Sequence, residues 1–224
     1  NLQNAKELFE SYLQNVFENK GDDWEEKSFE ELTLDLLQGI NTATDKTKFS
    51  LTGIPILQAK EIGDEELKLA KCKFITQSDF AKVKQRYKPN LGDILLNNIG
   101  SSLGRSIEVD WDFDFTFAWN VMRVIPNMKF ITPAYLNYGI QSPNFQKLIW
   151  GSTKGVGMPF ISKKNISALT ISFPKSIEEQ KQIVNKLDAI SAESKKLETI
   201  YTQKIADLEE MKKSVLQKAF SGQL

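Results

Sequence analysis

Histidine is missing altogether from this 224-residue sequence, and cysteine occurs once, at Cys72. Without histidine there is no His-based catalytic triad, and with one thiol there is no zinc site of the usual imidazole and thiolate kind. A lone cysteine cannot close an internal disulfide, which fits a reducing compartment or indifference to redox state. No apolar run approaches the roughly 20 residues that cross a bilayer, and no charged segment leads into an apolar stretch at the start. The expected location is the cytoplasm, with no membrane partner. Asn1, rather than Met, opens directly into a helical pattern, so the chain is expected to begin inside a longer one, a processed terminus being the alternative.

Acidic residues are missing from one long interval. Between Asp114 and Glu178 there is no Asp or Glu, while Arg123, Lys129, Lys147, Lys154, Lys163, Lys164 and Lys175 stand in it. Upstream, Lys68, Lys71, Lys73, Lys82, Lys84, Arg86, Lys88 and Arg105 face only Asp79 and Asp93. The zero net charge therefore hides an asymmetry, because the acids crowd between Asp22 and Glu66. A surface of this kind attracts a polyanion, since neutralising phosphates releases condensed counterions. Lysines that merely solubilise a surface are the plainer reading of the same feature.

Hydrophobic and 26% charged residues in ordinary proportion indicate one sizeable core with an appendage. From Ala5, the apolar positions Leu8, Phe9, Tyr12, Leu13, Val16 and Phe17 recur at three and four, the stripe of an amphipathic helix that ends at Lys20 and Gly21. From about Trp24 to Pro174 that period is lost. The runs Ile54 to Leu57, Cys72 to Thr76, Ile94 to Leu96, Trp119 to Ile125 and Leu169 to Phe173 predict strands. Helices are predicted at Ser28 to Leu37, at Ser78 to Gln85, and from Pro133 to Ser142 running on towards Trp150. The acidic stretch Asp22 to Glu31 reads as a solvated loop and helix start. The fold class is α+β, a globular domain with mixed sheet and helices followed by one long helix that forms a coiled coil.

After Pro174 neither Gly nor Pro interrupts the chain until Gly222. A heptad seam runs through Ile183, Leu187, Ile190, Ser194, Leu197 and Tyr201. After a one-residue slip it continues through Ile205, Leu208, Lys212, Val215 and Ala219. A helix from Ile177 to Phe220 would reach roughly 65 Å and would need another helix along its seam. Ser11-Tyr12-Leu13-Gln14-Asn15-Val16-Phe17 matches Ser214-Val215-Leu216-Gln217-Lys218-Ala219-Phe220 as Ser-x-Leu-Gln-x-x-Phe, either a repeated element or chance similarity of heptads. Residues 1–20, 21–175 and 176–224 are the expected divisions.

Gly100-Ser101-Ser102-Leu103-Gly104-Arg105-Ser106 has glycines one residue too close for a nucleotide-hydrolysing phosphate loop, and Arg105 where the lysine belongs. It reads either as a loop whose backbone and Arg105 approach DNA, or as a tight hairpin that needs glycine. Gly151-Ser152-Thr153-Lys154-Gly155-Val156-Gly157, followed by Lys163-Lys164, is a second small cationic loop or a plain surface loop. Asn97, Asn98, Ser101, Ser102, Arg105, Thr153, Lys154, Lys163 and Lys164 are the candidate DNA contacts. Leu8, Tyr12, Ile183, Leu187, Ile190, Leu197, Tyr201, Leu208 and Val215 are the candidate helix or partner contacts. Trp24, Trp111, Trp119 and Trp150 are assigned to the core. No catalytic or metal-binding residue is predicted. The motifs for base methylation and the carboxylate cluster of metal-dependent nucleases are both missing.

The run Ile177-Glu178-Glu179-Gln180-Lys181-Gln182-Ile183-Val184, continuing to Leu208-Glu209-Glu210-Met211-Lys212-Lys213-Ser214-Val215-Leu216-Gln217-Lys218-Ala219-Phe220-Ser221-Gly222, resembles the conserved helical region of type I restriction-modification specificity subunits. Gly92-Asp93-Ile94-Leu95-Leu96, Gly53-Ile54-Pro55 and Ile161-Ser162-Lys163-Lys164-Asn165-Ile166 look like their target-recognition domains. Pro174-Lys175-Ser176 departs from the consecutive prolines common there. The resemblance implies a half-sized subunit: the tail of a central helix, a second recognition domain and the distal helix. It implies double-stranded DNA, a methylation subunit and a restriction subunit as partners. It also implies that S-adenosylmethionine, ATP and Mg belong to those subunits, with no cofactor and no catalysis on this chain. The repeated helical element predicts a homodimer of half-subunits. The rival readings are a specificity subunit of another system with a fused methylase-nuclease, a coiled-coil protein-binding scaffold, and an unrecognised nuclease.

Overall fold

The computed structural model describes residues 2–44, 47–63, 66–153 and 157–221. In chain order the elements are α1 (Leu2–Glu18), β1 (Trp24–Ser28), β2 (Thr33–Gln38), β3 (Ile54–Leu57), β4 (Lys73–Ile75), α2 (Gln77–Lys82), β5 (Ile94–Asn97), β6 (Ser106–Glu108), β7 (Thr116–Phe117), β8 (Val121–Pro126), α3 (Pro133–Gln141), α4 (Pro143–Gly151), α5 (Lys163–Ser167), β9 (Thr170–Pro174) and α6 (Ile177–Phe220). An α+β domain is thus followed by one long helix.

The strands form three sheets, ordered β2-β8-β5-β6, β4-β3-β7 and β1-β9. In the four-stranded sheet every neighbouring pair is antiparallel. Successive residues of a strand point to opposite faces, and here both faces are covered. Ile94, Leu96, Met122 and Val124 enter the main core with α1, α3, α4 and the start of α6, while Leu95 and Val121 enter a second core with Leu57, Phe115 and Phe117. That is why β5 and β8 read as nearly continuous apolar runs rather than as alternating ones.

Two helices expected from the sequence are reorganised. At the start of the first, the Ser28 amide and hydroxyl both donate to Glu31 Oε2, the contacts of a helix cap. They close a single turn, after which Thr33–Gln38 leaves as a strand paired with β8. Helical capping nucleates a turn, but the edge of a buried sheet offers the following residues a ladder and an apolar face. Asp22 to Glu31 likewise holds a strand, β1, whose outer carboxylates Glu25 and Glu26 face Lys27, Lys175 and Lys20. The third expected helix is two. Ser142 ends α3 in extended conformation and its hydroxyl accepts from the Phe145 amide to start α4. Pro143 dictates this, since proline drives the residue before it out of the helical region and itself suits a first helical turn.

At the junction with α6, Gln180 is fully buried. Its Oε1 accepts from the Thr132 amide at 2.8 Å, and its Nε2 donates to the carbonyls of Phe130 at 2.8 Å and Pro174 at 3.0 Å. Helix α1 runs back along the first half of α6, with Leu13 and Phe17 buried against Tyr135, Val184 and Leu187. Beyond Tyr201, α6 projects from the domain with its described side chains exposed.

Candidate nucleic-acid interface

The hairpin between β5 and β6 carries the first Gly/Ser loop. Its backbone is closed by the Asn97 amide donating to Arg105 O at 2.8 Å and the Gly104 amide donating to Asn97 O at 2.8 Å. Gly104 has φ +89, and a Cβ there would press on the Gln146 side chain. Glycine is required at this corner, so the hairpin reading and the DNA-loop reading are compatible. Gln146 on α4 donates to the Gly104 carbonyl, anchoring the loop to the helix that precedes the second one.

The start of the first loop pairs with the segment that follows the second, some sixty residues on. Gly100 donates its amide to Pro159 O at 2.9 Å, Ile161 donates to Asn98 O at 3.0 Å, and Ile99 bridges Phe160. Asn165 Nδ2 donates to Ser152 O, tying α5 to the end of α4, and Ser162 caps α5 at its start. Periodicity could not reveal this meeting, because the pairing of isolated residues from distant segments leaves no repeat in the sequence.

Of the candidate contacts, Ser101 and Arg105 are exposed, Ser102 and Thr153 are half-buried, and Lys163 and Lys164 stand out on α5. Thr153 donates its hydroxyl to Trp150 O. Lys154 lies outside the described residues. Asn97 and Asn98 correct the expectation of direct contact, since both side chains are buried. Asn97 Nδ2 donates to Ala59 O at 2.9 Å and to Ser102 Oγ at 3.0 Å, so it holds the loop from behind. The Oδ1 atoms of both asparagines are buried with no hydrogen-bond partner among the described residues.

Lys163 donates to Asp35 Oδ1 on β2 at 2.9 Å. That bond, with help from the Leu36 amide, holds the Asp35 carboxyl below the usual carboxylate range. Arg123 also departs from the sequence reading. Its guanidinium is buried, Nε and Nη2 reaching Asp93 Oδ2 at 2.8 and 2.6 Å and Nη1 donating to Arg86 O. It is a core cation and contributes nothing to the basic surface. Two of the tryptophans assigned to the core are exposed as well, Trp119 at 42% and Trp150 at 43%. Trp119 opens the run predicted as a strand and Trp150 closes the run predicted as a helix, and the terminal residue of a run is the one that sheet and helix leave open.

Along the helices, Leu187 is fully buried, while Tyr12, Ile183, Ile190 and Tyr201 are partly buried. Leu8, Leu197, Leu208 and Val215 are exposed, at 55%, 38%, 59% and 48%. The stripe actually covered runs through Gln180, Val184, Leu187, Ser191 and Ser194. A groove of about 1060 Å³ separates the Ser101–Ser106 loop from α1 and α6. Between α3 and α6, Tyr138 donates to Asp188 at 2.6 Å. Burial and this acceptor raise the Tyr138 pKa, and burial beside Asp110 and Asp188 raises that of Glu108. Burial, aided by Glu61, pushes the Cys72 thiol up to about 11, so it is not a thiolate at neutral pH. Among the described residues no group of three carboxylate or thiol side chains could hold a metal ion, and no helix is long and apolar enough to cross a membrane.

A mixed-sheet domain in which Asn98–Gly100 pairs with Pro159–Ile161, followed by a 44-residue helix fixed at one corner, defines a recognisable class. Residues 21–209 match the model of the type I restriction modification DNA specificity domain, and the chain belongs to that family. A curated relative is the type I restriction enzyme EcoBI specificity subunit of Escherichia coli. It is 30% identical over 172 residues, which are 77% of this chain and 36% of that protein. Among solved structures, a chain from a study of complex assembly and conformational transition of the type I R-M system superposes over 100% of this chain and 53% of its own, with 20% identity and TM-score 0.76. The HsdS subunit of Thermoanaerobacter tengcongensis does so over 100% and 52%, with 21% identity and TM-score 0.67. These two likenesses establish the fold. The chain spans about half the length of those structures and about a third of the curated relative.

Proposed function

We propose that this chain is a sequence-specific DNA-recognition subunit that directs methylation and restriction to a bipartite site and performs no catalysis itself. The observation that carries this reading is the meeting of the Asn98–Arg105 loop with the Pro159–Lys164 segment on one edge, in a chain of the DNA specificity family. The exposed Ser101, Arg105 and two lysines there can contact phosphates and base edges of duplex DNA, phosphate contacts positioning and base contacts specifying. Residues 21–175 are the recognition domain, 1–20 and 176–224 the helical parts. S-adenosylmethionine, ATP and Mg serve the methylation and restriction subunits with which it assembles. Reconstitution with the methylation subunit followed by mapping of methylated bases tests the reading. One recurrent split word is expected, and methylation without sequence preference would refute it.

The free half of α6 favours an added partner. Ile205, Leu208, Met211 and Val215 form an exposed apolar stripe on a helix that extends about 30 Å past Tyr201. Such a stripe calls for a facing helix. A second copy, antiparallel, supplies one, and would set two identical recognition domains at opposite ends to read a split palindrome. Light scattering with and without the methylation subunit tests this. A strict monomer in both conditions, or a site with unlike halves, would overturn it.

A further inference from the structure

Between β7 and β8 the chain turns through Ala118, Trp119 and Asn120. The turn is held on both sides. Trp119 donates its amide to Ile40 O at 2.9 Å, its carbonyl accepts from Gln38 Nε2 at 2.7 Å, and Val121 donates to Ala118 O at 2.9 Å. The adjoining strand end fits so closely that a Cβ on Gly39 would lie 2.4 Å from the carbonyl oxygens of Phe117 and Ala118. Phe117, Ala118 and Val121 are buried, yet 42% of Trp119 is open. A large aromatic ring is therefore carried outward on rigid backbone.

Ile40, whose carbonyl accepts from the Trp119 amide, also lines a groove of about 500 Å³ together with Lys48, Lys82, Lys84, Asp79 and Tyr87. Three cations there face one carboxylate, and Lys82 donates to that Asp79 at 3.0 Å while staying 75% exposed. Flanking cations are pre-set over rings, Lys73 over Phe49 at 4.4 Å and Lys88 over Phe80 at 4.3 Å. The turn also adjoins the edge described above, through the Asn98 amide to Asn120 O at 3.4 Å.

We propose that Trp119 and the Lys48/Lys82/Lys84 groove form a second contact with duplex DNA, the lysines holding phosphate and the Trp119 ring making an apolar base-edge contact that contributes to specificity. The inference rests on the DNA-recognition reading and adds residues to it. A cationic groove supplies sequence-independent attraction, and an apolar group beside it can discriminate a base by its methyl edge.

The test uses the full chain with the methylation subunit, comparing wild type with Trp119→Ala, Trp119→Phe and the double variant Lys82→Ala/Lys84→Ala, each checked for a native melting transition. Duplex binding is measured against salt and methylated bases are mapped. The lysine variant is expected to lower the salt slope by about 2 with the word unchanged. Trp119→Ala is expected to lower affinity for the wild-type word about tenfold and relax it at one or more positions, leaving binding to random duplex unchanged. Trp119→Phe should fall between, and with the lysine variant it carries the test if the alanine variant does not fold. Words, affinities and slopes equal to wild type in all variants would overturn the proposal. So would lost copurification with the methylation subunit at unchanged DNA binding, which would mark a protein contact. A wild-type complex with no sequence-selective binding or methylation would instead remove the DNA reading itself.

Discussion

Gln180 Oε1 accepts from the Thr132 amide at 2.8 Å in a fully buried position, so the first turn of α6 is hydrogen-bonded to the loop that opens α3. The same side chain satisfies two further carbonyls, those of Phe130 and Pro174. One amide thereby helps, with the packing of Val184 and Leu187, to fix the angle at which a helix about 66 Å long leaves the domain.

Gln180→Ala is expected to destabilise the protein by about 2–3 kcal/mol, because it strands a donor and two acceptors away from water. Urea unfolding measures this. The same variant should broaden the accepted spacing between half-sites in methylation mapping, as a loosened joint no longer holds the helix at one angle. Unchanged stability would mean that the bonds are replaced by water.

The Lys163–Asp35 pair should act on DNA rather than on stability. Both side chains are about half exposed, 60% and 49%, so the pair contributes under about 1 kcal/mol to folding. With the Asp35 pKa lowered, that small contribution is present at neutral pH and is lost as pH falls through the depressed value. Asp35→Asn releases Lys163 and removes a negative charge, and is expected to raise non-specific DNA affinity several-fold and steepen its salt dependence. Fluorescence anisotropy over a salt series checks both.

Lys154→Ala or Lys164→Ala should weaken binding to all sequences alike and flatten the salt slope by about 1, while Arg105→Ala should in addition relax the recognised word. Salt titrations on cognate and random duplexes separate these effects. Unchanged affinity and slope in all three would remove the loops from the interface.

Two substitutions on α6 should part company. Leu187→Ala, at a fully buried position, is expected to cost about 2–5 kcal/mol of folding stability. Leu208→Glu with Val215→Glu, where the side chains are exposed, should leave the melting temperature within a degree or two in dilute solution. It should abolish self-association, as sedimentation velocity would show.

Much was legible from residue pattern alone. The stripe from Leu8 to Phe17 and the uninterrupted stretch after Pro174 specify helices because the 3.6-residue period is a local property, and α6 spans Ile177–Phe220 as its sequence predicts. Ile54–Leu57 is likewise a strand. The lack of histidine limits the chemistry whatever the fold. Only tertiary structure could decide that Thr33–Gln38 follows β8 rather than the cap at Ser28, that Asn97, Asn98 and Arg123 face inward, that Trp119 faces out, and that Asn98–Gly100 meets Pro159–Ile161. Each of these depends on which distant backbone or charge a residue meets, and burial is a property of the packed chain, not of any window along it.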